Sequence, residues 1–265
     1  MHTHSVWGKI QCHGTIKMFD DFLVFEVAIV FVAGLFHGIV GFGFPMIATP
    51  LFVLFLDLKQ AVLYTLFPTL ITNVVSLKQG NTFKDLWQDY WLLIVCVMIG
   101  SILGTYILVA HYSHYYKLVL SFVILFYLSK EKLNLSLTSL FVQAPKKTTA
   151  FMGLISGLIG GMANIMSPVL IILILELHLD KKRAIGVMSL CFIANKSLQI
   201  LTFGLNGSFT LDNSVLIALF VGISLIGFWL GYKLHAKINE ALYTALLNKL
   251  LFIIACFLIY STFYM

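Results

Sequence analysis

GLISGLIGGMANIMSP, residues 153–168, and its earlier echo GLFHGIVGFGFPMIATP, residues 34–50, decide how this chain is read. Placing Gly34 on Gly153 puts Gly38 on Gly157 and Gly41 on Gly160, and one skipped residue brings Pro50 onto Pro168. Each copy is a glycine-rich break within apolar sequence, followed by a short apolar run and a charged turn. Glycine weakens a helix and frees backbone N–H and C=O groups. In a bilayer such groups persist only against protein or a water-lined cavity. Breaks at corresponding places in two halves therefore point to a binding site. The same glycines also suit close helix packing, since Gly34/Gly38 and Gly153/Gly157 both fit the small-xxx-small pattern. The two readings can coexist.

Composition sets the class. Of 265 residues, 60% are hydrophobic and 11% charged, and the mean hydropathy is +0.98. A soluble domain carries about 25% charged residues. Several apolar runs exceed the roughly 18 residues that mark a membrane span. The expected fold is an all-α polytopic membrane protein. The runs are continuous rather than alternating, which excludes a β-barrel. The net charge of +6 does not indicate nucleic acid, because the basic residues lie in short loops between spans. Cys12, Cys96, Cys191 and Cys256 are scattered, with no CxxC pair, so neither a disulfide nor a zinc site is expected. His2, His4 and His13 read as a solvated terminus, and no cofactor is indicated.

Taken in order, residues 1–21 form a polar N-terminal segment. Residues 22–130 form a first membrane repeat, residues 131–148 a cytoplasmic linker, and residues 149–265 a second repeat. The first half reads as an apolar helix to about Val40, the break at Gly41–Pro45, and a short run from Met46 to Leu56. A helix from Gln60 to Leu77 follows, with a kink expected at Pro68. Residues 78–89 are expected to be a polar loop, with Trp87, Tyr90 and Trp91 at the headgroup boundary. Helices from Trp91 to Ala110 and from Tyr115 to Leu128 close the half. The second half repeats the plan, with Gly227 and Gly231 answering Gly100 and Gly104. Five segments per half is an odd number, which predicts an inverted repeat. A cytoplasmic linker places Lys78, Lys84, Lys181, Lys182, Arg183, Lys233 and Lys237 on the same side as Lys130, Lys132, Lys146 and Lys147, as the positive-inside rule requires.

GxxxGxxGxG followed by a proline, echoed in the second half, with Ala61 and Ala184 opening the next helix, resembles the sulfite exporter TauE/SafE family of anion permeases. The resemblance covers nearly the whole chain. It implies a multi-pass carrier of the bacterial inner (cytoplasmic) membrane for sulfite, organosulfonates or related sulfur-containing anions.

The polar residues inside spans are the candidate site. Lys196 lies deep in a helix, and an ionisable residue there is a functional candidate by default. Asn195 and Gln199 flank it, and Asn73 sits at comparable depth in the first half. An ammonium with amide donors suits a small oxyanion, whereas a snorkelling lysine would only reach for the interface. His37, one turn before the first break, could carry a proton, donate to an anion, or simply pack. Gly41 and Gly43, with Gly160 and Gly161, are expected to form the breaks. Asn164, Ser167 and Thr49 stand beside them. The expected activity is secondary transport of a small anion by alternating access, with the two half-helix N-termini facing the anion. A channel or assembly subunit is the alternative. An intramembrane enzyme is disfavoured because no HExxH, GxSxG or paired intramembrane carboxylates occur. The expected partners are the anion, the lipid bilayer and, through GxxxG, a second copy in a homodimer.

Overall fold

The structure is a computed structural model that describes residues 7–78, 83–110, 116–129, 143–234 and 240–264. These residues form ten helices in succession and no strand. The first half holds α1 (Trp7–Val40), α2 (Phe44–Val53), α3 (Leu58–Leu77), α4 (Phe83–Ala110) and α5 (Tyr116–Ser129). The second holds α6 (Pro145–Ala163), α7 (Ser167–Glu176), α8 (Lys181–Leu205), α9 (Leu211–Leu234) and α10 (Glu240–Tyr264). His2, His4 and most of the linker at 131–148 lie outside the described residues. The helix expected to start at Phe22 begins at Trp7.

Five stretches are long and apolar enough to cross a membrane: Leu23–Val40, Leu58–Leu77, Phe83–Ala110, Lys181–Leu205 and Asn213–Leu234. Large apolar side chains such as Phe25, Phe122, Ile226 and Trp229 stand exposed on them and their neighbours. In water such a surface would aggregate; in lipid it is the expected outer face. The chain is a multi-pass α-helical membrane protein. With ten residues each, α2 and α7 rise about 15 Å, half of a hydrocarbon core about 30 Å thick. They are half-helices.

The first three helices of each half match at a spacing of 123 residues (168 minus 45). Pro45 and Pro168 both open a half-helix. Asp57 and Asp180 both cap the helix that follows, accepting from Gln60 N at 2.9 Å and from Arg183 N at 3.4 Å. This corrects the sequence register. Gly34 corresponds to Gly157 and Gly38 to Gly161, and the proline that answers Pro168 is Pro45, while Pro50 lies inside α2. Packing rather than local spelling fixes the match. Gly34 and Gly38 press on the backbone of Ser224 and Phe228 in α9, and Gly157 and Gly161 press on Val97 and Ser101 in α4.

Helix contacts obey the same exchange. α1 packs on α9 as α6 packs on α4; α3 meets α9 as α8 meets α4; α2 meets α10 as α7 meets α5. α3 packs on α8 and α5 on α10, each with its own counterpart. The two glycine-lined pairs run side by side in the same direction, because the order of contacts rises along both chains: Gly100 with Leu154, Gly104 with Leu158. Close approach without side chains is what small-xxx-small provides. The glycine doublets are therefore used within the chain.

α4 also departs from expectation. The polar stretch before Trp91 is helical from Phe83 onward and bends at Tyr90, whose φ of −123° and ψ of 16° leave the helical region. Phe83 stacks on Trp87 with ring centroids 6.1 Å apart, the one-turn pairing a helix allows. Arg183 at the start of α8 pairs with Asp89 and lies 5.7 Å above the Tyr90 ring.

The glycine contacts make a prediction. A Cβ at Gly104 would lie 2.9 Å from Met162 N, and one at Gly227 would lie 2.9 Å from Leu35 N, with carbonyl oxygens nearer still. Nothing lies within 4 Å of a Cβ at Gly222. Gly104→Ala and Gly227→Ala are expected to destabilise the purified protein by about 1–3 kcal/mol, the range for overpacking. Gly222→Ala is expected to be neutral or mildly stabilising, since alanine is the better helix former. Thermal unfolding in detergent, read by intrinsic fluorescence, checks the contrast.

Candidate functional site

Each half breaks between its first two helices. In the first half Gly41 and Gly43 take positive φ of 92° and 99°, a conformation that glycine adopts without strain. Gly43 caps α2, and a Cβ at Gly41 would run into the side chain of Ile185. In the second half the break is Asn164–Met166, not Gly160–Gly161. Those two glycines are helical residues of α6. Asn164 carries the left-handed turn instead, with φ 64°, and asparagine is the side chain that best tolerates it. The physical reason is that Gly160 and Gly161 serve packing: Gly161 lies against the Ser101 and Thr105 backbone, and Gly160 against Met166 and Asn195.

Lys196 sits at the centre. Its side chain is fully buried, at 0% exposure, so it does not snorkel. The ammonium donates to Asn164 Oδ1 and to Gln199 Oε1. Asn164 turns its amide nitrogen to the first half, donating to Thr49 Oγ1 of α2 at 2.6 Å and Thr65 Oγ1 of α3 at 2.8 Å. Gln199 Nε2 donates to the carbonyls of Gly160 at 3.3 Å and Gly161 at 2.9 Å. One lysine thus gathers the second break, α3, α8 and the end of α6. Thr65 itself donates to its own helix at Ala61 O, 3.0 Å.

The electrostatics are one-sided. Both acceptors on the ammonium are neutral amides. Taking a charge out of water costs several kcal/mol even after relaxation, and neutral hydrogen bonds offset only part of that. An ammonium has three N–H donors; Asn164 and Gln199 take two. The remaining donor and the uncompensated charge both suit an incoming anionic oxygen.

The other expected residues divide. Asn195 donates to Ser101 Oγ of α4 at 2.9 Å, and its Oδ1 has no partner. Ser167, in the first turn of α7 and buried, has a hydroxyl without a partner. Asn73 donates to Thr69 O of its own helix at 2.8 Å. His37 is not brought to the ammonium; its Nε2 meets Ser76 Oγ at 3.0 Å, and its ring lies 5.6 Å from that of Phe228. Thr65, Ser76 and Ser101 are contacts the sequence reading did not assign. The 123-residue spacing would have found Ser76, which falls on Gln199. No group of three or more His, Cys, Asp or Glu able to hold a metal occurs among the described residues.

No curated protein and no solved structure matches the chain significantly. The family model described as sulfite exporter TauE/SafE matches residues 27–258. That span runs from within α1 to near the end of α10 and takes in both breaks and Lys196; the chain belongs to the sulfite exporter TauE/SafE family.

Proposed function

We propose that the protein is a secondary transporter that exports small sulfur-containing oxyanions, such as sulfite or organosulfonates, across the bacterial cytoplasmic membrane. The observation that carries this reading is the Lys196 ammonium, fully buried in α8 and held only by the amide oxygens of Asn164 and Gln199. A small oxyanion supplies the missing negative charge and an acceptor for the third N–H. The start of α7 lies beside Asn164, so its unpaired N–H groups and positive dipole end add to the attraction. A trigonal or tetrahedral oxyanion has several equivalent oxygens and can accept from both at once. An uncharged solute of the same size leaves the ammonium uncompensated.

The proposed mechanism is alternating access, with the two halves rocking around the site. The proposed halves are membrane repeats at 22–130 and 149–265, inverted relative to one another and joined by a cytoplasmic linker at 131–148. The α3–α8 contact supports inversion. Asn164 holds Thr65, early in α3, and Lys196, late in α8. Exchanging the halves maps that pair onto Met188 and Asn73, early in α8 and late in α3. Two helices that meet in this way run in opposite directions. The proposed activity is transport alone, without catalysis.

Saturable sulfite counterflow in proteoliposomes separates a carrier from a channel or a non-transporting subunit. Lys196→Met keeps most of the stem and removes the charge. It is expected to lower sulfite transport at least about tenfold, which is about 1.4 kcal/mol of differential interaction, with expression and folding retained. Lys196→Arg keeps the charge in a different shape and is expected to give an intermediate loss. Wild-type rates in a folded Lys196→Met protein would overturn the reading.

Asn164→Asp tests the charge argument independently. Aspartate tolerates the left-handed turn nearly as well, but its carboxylate would supply the ammonium with an internal counter-ion. Sulfite transport is expected to fall at least about tenfold, with thermal stability equal or higher. The initial rate of counterflow and the unfolding temperature, measured on the same preparation, check both halves of this expectation.

A further inference from the structure

Three polar side chains of the first half occupy the places that mirror the ammonium site, and Thr69 lies one turn before Asn73 on α3. At the 123-residue spacing, Asn73 stands for Lys196, Ser76 for Gln199 and His37 for Gly160. The contacts are mirrored too. Gln199 reaches the Gly160 carbonyl, and Ser76 reaches the His37 ring. Thr69, Asn73 and Ser76 recur at steps of four and three along α3, hence on one face. All four residues are buried. This second cluster has no fixed cation, and three of its polar atoms lack a partner: His37 Nδ1, Thr69 Oγ1 and Asn73 Oδ1. Buried orphans at this density call for an explanation. A hydroxyl, an amide oxygen and a ring nitrogen can each accept a hydrogen bond, so the cluster offers acceptors and no fixed charge.

We propose that His37 is the proton-carrying group of the transport cycle. The inference rests on the transport reading above and names its coupling ion. A proton from water is taken up on whichever ring nitrogen lacks one, giving an imidazolium, and is returned to water when the cycle completes. No heavy-atom bond forms or breaks. The Phe228 ring lies 5.6 Å from the imidazole, tilted by 60°, within the distance at which an aromatic ring can attract a cation. The charged and titratable groups around His37 are few. Glu26 lies three turns back on α1. α2 brings none. α3 brings Lys78 at its C-cap, two residues beyond Ser76, and Lys59 and Tyr64, three or more turns before it. α9 brings Tyr232, stacked on Phe228, and Lys233 beyond it.

The test uses the purified full-length protein in liposomes with a trapped pH indicator, and sulfite as the probe. Protons moved per sulfite are counted for wild type and for His37→Gln. Sulfite's own ionisation is common to both and cancels in the difference, and the ratio is independent of rate. Wild type is expected to move about one proton more per sulfite, the capacity of one imidazole. Equal ratios would overturn the proposal. If His37→Gln does not fold, Asn73→Asp places a carboxylate on the same face of α3. An added negative charge favours the imidazolium, so the pH midpoint of net sulfite transport is expected to rise by about one unit. An unmoved midpoint would overturn the proposal. Absence of saturable sulfite movement by wild type would overturn the transport reading and this inference with it, whereas movement with equal ratios sinks only the proton.

Discussion

Everything in this molecule depends on two places where helix backbones touch with no side chain between them. α1 meets α9, and α4 meets α6, at glycines that press on the carbonyls of the facing helix. Lipid gives no hydrophobic drive for helices to associate, so van der Waals contact and weak polar contacts at short range must supply it. Each pair joins one half to the other. The halves therefore do not meet as two preformed bundles across a flat interface; each lends its first and fourth helices to the other. What remains at the centre is α3 against α8, the elements that carry Lys196, Asn73 and the polar groups around them.

The exchange symmetry of the backbone is not repeated in its chemistry. Where the second half has Asn164, the first has Gly41; where it has Lys196, the first has Asn73. One break is held by an amide that binds a lysine and two threonines. The other is shaped by glycine conformation, with Gly43 capping the half-helix. Matched positions are thus filled unequally, with a buried lysine at 196 and a neutral amide at the answering position 73. Recognition of a small anion needs only one such charge, since a second uncompensated ammonium nearby would add repulsion and another desolvation penalty.

Much of this was legible in the residues. Composition and run length gave the membrane class because hydrocarbon tolerates few alternatives to apolar helix. Lys196 stood out for the same reason, and its burial agrees with the reading that did not let it snorkel. The glycine echo pointed to two corresponding stretches, but its register was off because glycine marks two different things. At Gly41 and Gly43 it permits a left-handed turn; at Gly157, Gly160 and Gly161 it permits contact with α4 and with the residues around the second break. Sequence spelling alone does not separate these uses, and an asparagine made the second turn. The start of α4 was misread because seven polar and aromatic residues before Trp91 resemble a loop, while the Phe83–Trp87 stack and the Arg183–Asp89 pair hold them as helix. The Asn164 network joins residues about a hundred positions apart, which no local pattern reveals.

The crossed arrangement also bears on how the protein is made. Gly34 waits for Ser224, 190 residues further along the chain. At roughly 5–20 residues per second of synthesis, α1 is in the bilayer for on the order of ten to forty seconds before its covering helix exists. Its bare glycine face, with Glu26 and His37 on the same helix, must be sheltered by lipid, by the insertion machinery or by another nascent segment during that interval. Assembly is thus post-insertional: most of the described helices are synthesised before the first one finds its place.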